Sequence, residues 1–226
     1  MEHLKRLFAE CIGTFLLCTI AILAMAGTAQ GDAGRVVVAT AYGLGVVAAM
    51  HACGAVGQVH LNPAVTLAIF ATGRGTIVRV LACVVGQLIG GCLAGLCVMW
   101  LLAGEGTAMG MPAGSLTRTE AVKTVVVEGL LTLVWSAAFL GSVFGGKLGP
   151  SAVVPIGLAV TAAALAGLPF TGAAMNPVRA LASAIAAIDF STLWMYAVGP
   201  LAGAAVAGLV GRVFLAEGDA ASGRRS

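Results

Sequence analysis

Apolar residues run along this chain in six long, nearly unbroken stretches, near Leu7–Gly27, Val36–Ala55, Ile77–Leu102, Ala121–Phe144, Ser151–Leu168 and Leu193–Leu215. Polar positions are confined mostly to the short connectors between them. Each stretch holds 18 to 26 residues, enough for a helix that crosses a hydrocarbon core of ~30 Å at a rise of ~1.5 Å per residue. Two further apolar segments are shorter, from Pro63 to about Thr72 and from Pro177 to about Ala187. About ten residues make a helix of ~15 Å, half the thickness of the core. The pattern predicts an all-α membrane protein of six transmembrane helices and two re-entrant half-helices.

Composition sharpens this reading. Of 226 residues 60% are hydrophobic and only 9% charged, with a mean hydropathy of +1.04, against about 25% charged residues in a soluble domain. The 32 glycines suit helices packed backbone to backbone, because lipid supplies no hydrophobic force between helices. The net charge of +3 is spread over short loops, so no nucleic-acid partner is expected. Cys11, Cys18, Cys53, Cys83, Cys92 and Cys97 all lie in apolar stretches and form no CxxC or Cys/His pattern. They read as small packing residues, and neither a metal nor a cofactor is expected. Met1 to Arg6 ahead of an apolar run, with Ala24-Met25-Ala26 beyond it, is similar to a secretory leader. Glu10 inside the run argues instead for a retained first span.

The chain also repeats itself. HLNPAVTLA at His60–Ala68 returns as AMNPVRALA at Ala174–Ala182, and GQLIGGCLAG at Gly86–Gly95 returns as GPLAGAAVAG at Gly199–Gly208. Gly43-Leu44-Gly45-Val46 returns as Gly157-Leu158-Ala159-Val160, and Glu10 has a counterpart in Glu128. A nearly constant offset over several motifs marks two homologous halves. We read one membrane domain over residues 1–226, with one repeat over about 1–103, a connecting loop over 104–118, a second repeat over about 119–217 and a short tail over 218–226. Three spans per half place the halves in opposite orientation, an inverted-topology repeat. With both termini cytoplasmic, Lys5, Arg6, Arg74, Arg79, Lys147, Arg212, Arg224 and Arg225 fall inside, and Arg35, Arg118, Lys123 and Arg179 on the outer half, as the bias of basic residues requires.

Asn62-Pro63 and Asn176-Pro177 each read as a helix start, Asn as N-cap and Pro at the first helical position. As symmetry mates in an inverted repeat, the two caps are expected to meet at the bilayer centre. There each Asn, its oxygen used in capping, keeps an amide NH₂ to donate into a pore. Each half-helix adds the positive end of its dipole, about half an elementary charge. Cations and excess protons would meet a barrier that neutral solutes would not. Arg179 lies one turn into the second half-helix, and an arginine inside the membrane is functional by default. Glu10 and Glu128, at matching depths, need partners, and the free backbone N–H groups of the re-entrant loops are the natural ones. A proton relay is the rival role. His60 either contributes to the cytoplasmic mouth or braces its loop. No nucleophile–base pair suggests an enzyme.

These residues resemble the major intrinsic protein (aquaporin) superfamily over Ala9 to Gly208. AECIGTF at Ala9–Phe15, HLNPAVT at His60–Thr66 (with Asn62, Pro63, Ala64) and FTGAAMNPVRA at Phe170–Ala180 (with Asn176, Pro177, Val178) are similar to its signatures. The resemblance implies passive, bidirectional permeation of water and small neutral solutes across the lipid bilayer, a homotetramer with one pore per subunit, and a bacterial-type member of the inner membrane. It also implies a four-residue constriction at Tyr42, Ala164, Ala173 and Arg179. Water-selective members carry His at the second of these positions. With Ala164 and Ala173 opposite Tyr42 and Arg179, the opening is expected to be wider, unless the Tyr42 ring swings in. Val178 after the second Asn-Pro resembles the nodulin-26-like branch, whose members pass glycerol and uncharged metalloid acids. Ala180 departs from glycerol facilitators, which carry Asp there. The leading expectation is a channel for water, glycerol, urea and boric or arsenous acid, with a water-selective channel as the alternative. A coupled transporter is a third reading, for which the midplane offers too few ionisable groups.

Overall fold

The computed structural model of the chain describes residues 1–28, 31–145 and 149–222. Lys147, Arg224 and Arg225, counted above in the charge bias, lie outside the described residues. The helices are α1 (Glu2–Ala26), α2 (Asp32–Cys53), α3 (Pro63–Ala71), α4 (Ile77–Leu101), α5 (Ala121–Phe144), α6 (Val153–Thr171), α7 (Pro177–Ala187) and α8 (Leu193–Ser222). No strand occurs among the described residues. Six of them (α1, α2, α4, α5, α6 and α8) are long and apolar enough to cross a bilayer. The remaining two, α3 and α7, have 9 and 11 residues and are the half-helices.

Boundaries shift where a polar group finds a partner. Helix α1 begins at Glu2, ahead of the apolar run, because Arg6 is buried and its Nη1 donates to Gln58 O at 2.8 Å. Helix α6 continues past Leu168 through Pro169 to Thr171. A proline so near the end sacrifices little of the helical ladder. The connecting loop then takes the free carbonyls: Ser115 N donates to Pro169 O and Leu116 N to Phe170 O, at 3.0 and 2.9 Å. Gly172, at φ 78°, ends the helix.

The packing obeys the repeat. Helix α1 lies against α4 as α5 lies against α8, and α2 meets α6 between the halves. Each half-helix rests on the last span of the other half, α3 on α8 and α7 on α4. Glycine makes these approaches possible: a Cβ on Gly90 would strike Cys11 O, and one on Gly203 would strike Gly129 O. Gly203→Leu is therefore expected to force α5 and α8 apart and to cost about 1–3 kcal/mol or more. Thermal unfolding in detergent checks this against Gly141→Leu, whose Cβ meets nothing within 4 Å. Equal melting temperatures for the two variants would refute the close-packing account. Outward faces carry Leu81, Val85, Leu88, Val206 and Leu209, and Trp100 and Trp194 are exposed at one end, where interfacial aromatics belong. Polar side chains are instead gathered along the axis where α3 and α7 point at each other.

Candidate functional site

The site is assembled from two loop apices. Asn62 and Asn176 take extended backbone ahead of a proline, and each accepts from its own half-helix: Ala64 N at 2.9 Å on Asn62 Oδ1, and Val178 N at 3.0 Å on Asn176 Oδ1. The residue before each asparagine is left-handed, Leu61 at φ 59° and Met175 at φ 53°. For a side chain with a Cβ this conformation costs about 1–3 kcal/mol, so the surroundings must impose it.

They do so from both sides. Glu10 Oε2 accepts from Leu61 N at 2.8 Å and Oε1 from His60 N at 2.7 Å. In the other half Glu128 Oε2 accepts from Met175 N at 2.7 Å, and Oε1 accepts from Ala174 N at 3.1 Å and from the Thr171 hydroxyl at 2.6 Å. The carbonyls of the same two residues are claimed across the pseudo-two-fold. Asn62 Nδ2 donates to Met175 O and Asn176 Nδ2 to Leu61 O, both at 2.9 Å. Each asparagine thus spends one N–H on the opposite loop and keeps one for the lumen, where the sequence alone left both free. The two half-helices end nose to nose, and their positive dipole ends add at one point.

Around this centre the first half carries an extra polar cluster. Gln87 Nε2 donates to Glu10 Oε2 and to Thr66 Oγ1, at 2.9 and 3.0 Å, and His60 Nδ1 lies 3.0 Å from Thr66 Oγ1. The His60 ring meets Phe139 edge-on, and its Nε2 has no partner among the described residues. His60 therefore braces the loop through its backbone and Nδ1 while offering Nε2. Cys83 comes close enough that Glu10, His60 and Cys83 hold potential ligand atoms within 4.8 Å of one another. The Cys positions, scattered in sequence, gave no sign of this gathering. Glu10 already accepts three hydrogen bonds there.

The four residues expected at the constriction are all buried, at 1–2% exposure. Tyr42, Ala164 and Ala173 share one apolar cluster with Trp135. Tyr42 is tied back in this structure. Its hydroxyl donates to Ala174 O at 2.7 Å, its ring edge packs on Trp135, and the Arg179 guanidinium lies 5.9 Å from its ring centre. Arg179 Nη2 donates to the Met25 sulfur at 3.2 Å, while Nε and Nη1 have no partner among the described residues. Met25 and Trp135 were missed in the sequence. Trp135 carried a signal, since it stands in the second half where the first has Leu17. Tyr196, completely buried, ties the connecting loop down: its hydroxyl lies 2.6 Å from Thr171 O and 2.9 Å from Pro112 O, with Thr117 Oγ1 at 3.1 Å. Cavities open toward both ends of the helix bundle. One of about 570 Å³ is lined by Met50, His51, Gln58 and Val59, and one of about 450 Å³ by Met25, Val38, Met111 and Leu168.

This arrangement has counterparts among known proteins. The family model described as Major intrinsic protein matches residues 1–211. The chain belongs to the major intrinsic protein family. It is 37% identical over 225 residues to aquaporin TIP4-4 of Zea mays, covering 95% of this chain and 88% of that protein. It is 31% identical to aquaporin Z of Rhodopseudomonas palustris, covering 94% of each. The X-ray structure of the aquaglyceroporin from Plasmodium falciparum superposes with a TM-score of 0.79 at 20% identity, over 96% of this chain and 99% of that one, which shows the shared fold. As a member of the family the chain is an integral membrane channel for water or small solutes rather than an enzyme.

Proposed function

We propose that this member of the family is a passive channel for water and small uncharged solutes, with glycerol, urea and undissociated boric or arsenous acid among them, and that it excludes ions and protons. The observation that supports the reading is the state of Tyr42 and Arg179: Tyr42 is tied back to Ala174 O, Arg179 keeps Nε and Nη1 unpaired, and Ala164 and Ala173 are buried in the cluster that holds Tyr42. We read these four as the ring that narrows the pore. Such a ring offers room and fixed donors to a hydroxyl-bearing solute, and a fixed positive charge to any cation. The asparagine pair supports ion exclusion in the same way, since each presents a spare N–H between two positive helix ends. Asn62, Pro63 and Ala64 with Asn176, Pro177 and Val178 form that central barrier in this reading, and Glu10, Glu128 and His60 hold its loops.

Sidedness and assembly are part of the same proposal. The face bearing the starts of α1 and α4 and the end of α8 carries Lys5, Arg6, Arg79 and Arg212, and lies toward the cytoplasm, in a bacterial inner membrane. Four copies assemble, each with its own pore, as the family resemblance implies.

Reconstitution in liposomes tests the solute range. Stopped-flow light scattering is expected to show water, glycerol and boric acid entering faster than in protein-free vesicles, with no dissipation of a proton gradient. Arg179→Val is expected to admit a small cation such as methylammonium that the parent protein rejects. Water flux without glycerol or boric acid flux would replace the reading with a water-selective channel.

A further inference from the structure

The Arg179 side chain is held by an unusual partner. Among the described residues no carboxylate or carbonyl touches its guanidinium. Its one hydrogen bond goes from Nη2 to the thioether of Met25, at 3.2 Å, in the last turn of α1. A thioether is a weak acceptor, and Nε and Nη1 remain unpaired although Arg179 is 1% exposed. Met25 itself is half-buried and lines the cavity of about 450 Å³ described above. Its sulfur therefore lies both within reach of small solutes from that cavity and against the one charged group of the filter.

We infer that Met25 is a modification site through which hydroperoxides throttle the channel, a conclusion that rests on the reading of Arg179 as a filter residue. The chemistry is a two-electron oxygen transfer. The sulfur lone pair attacks one oxygen of hydrogen peroxide, an S–O bond forms as the O–O bond breaks, and the proton on the transferred oxygen passes to the departing hydroxide, which leaves as water. Sulfur is oxidised, peroxide is reduced, and the product is methionine sulfoxide. The lone pair that now accepts from Nη2 is a position for the new oxygen. A sulfoxide bond of about 1.5 Å followed by an N–H···O contact of about 2.8 Å does not fit into the present 3.2 Å separation. The guanidinium is therefore displaced from its present position, in which it lies 5.9 Å from the centre of the Tyr42 ring, itself tied to Ala174 O. The sulfoxide oxygen is also a far better acceptor than the thioether, so the displaced position is held.

Hydrogen peroxide treatment of the parent protein in liposomes tests this, with peptide mass spectrometry to follow oxidation and stopped-flow to follow flux. Water and glycerol flux are expected to fall by about tenfold as the Met25 peptide gains one oxygen, a change of the size expected when a weak thioether acceptor gives way to a strong sulfoxide one. Dithiothreitol alone, which reduces oxidised cysteines, leaves the loss in place, whereas methionine sulfoxide reductase restores flux. Met25→Leu, compared with its own untreated flux, is expected to be insensitive to peroxide, and Met111→Leu, altered in the same cavity, to remain sensitive. Full oxidation of Met25 without loss of flux would overturn the proposal. So would an equal loss in Met25→Leu, or a Met25 that stays reduced when the exposed Met1 is oxidised. Because the water arm is read separately, a channel that never passed glycerol would still report on Met25.

Discussion

Ala164→His is expected to reduce glycerol flux by about tenfold or more while leaving water flux within about threefold of the parent, because pore width and lining donors decide what passes. Ala164 is 1% exposed and shares its cluster with Tyr42 and Ala173. An imidazole there must occupy space that a solute would otherwise use. Tyr42, in the same cluster, is held by the bond of its hydroxyl to Ala174 O and by its ring on Trp135. Water is small enough to pass a ring of this kind and finds a further hydrogen-bonding group in it. Paired stopped-flow measurements on the variant and its parent decide the matter. Unchanged glycerol flux would mean that Ala164 does not border the passage.

The second large effect concerns the carboxyls behind the loops. Glu128→Leu removes the acceptor for Ala174 N, Met175 N and the Thr171 hydroxyl at once. Two buried backbone donors left without partners cost about 1–3 kcal/mol each, or about 2–6 kcal/mol together, and Met175 loses the bond that helps hold it left-handed. Glu128→Gln is milder. Its oxygen can serve Met175 N while its amide faces the Thr171 hydroxyl, which can turn to accept, so only Ala174 N is orphaned. The expected order of melting temperature in detergent is parent, then Gln, then Leu, and Glu10 should show the same order through His60 N, Leu61 N and Gln87. A Leu variant as stable as its Gln counterpart would show that the loop does not depend on the carboxyl.

What the sequence revealed, it revealed through cost. A carboxylate in an apolar run, an arginine in a half-length helix and an Asn-Pro pair recurring at a fixed interval are each too expensive to be incidental, so Glu10, Glu128, Arg179, Asn62 and Asn176 stood out as candidate site residues. The inverted fold followed from an odd number of spans in each repeat. Contacts between distant apolar residues carry no such mark. Nothing in the string Ala24-Met25-Ala26 says that its sulfur meets Arg179, more than 150 positions away. Tyr42 was expected at the constriction with a ring that could swing in, and the bond that ties its hydroxyl back goes to a carbonyl in the other half. The fifth apolar stretch ended near Leu168, and only the loop that covers the carbonyls of Pro169 and Phe170 explains why α6 continues.

The crossed seating of the half-helices sets a timetable for the growing chain. Helix α3 is complete once Ala71 has been made, yet the surface it rests on belongs to α8, which begins only at Leu193. Throughout the synthesis of everything between, the first loop lacks its seat, and until residue 176 is made it also lacks the Asn176 amide that donates to the Leu61 carbonyl. Its apex cannot settle in hydrocarbon with those groups bare, so it must wait near the membrane surface or in the shelter of the insertion machinery. The first half-helix thus finds its seat only when the last span has been made, whereas α7 has α4 waiting for it.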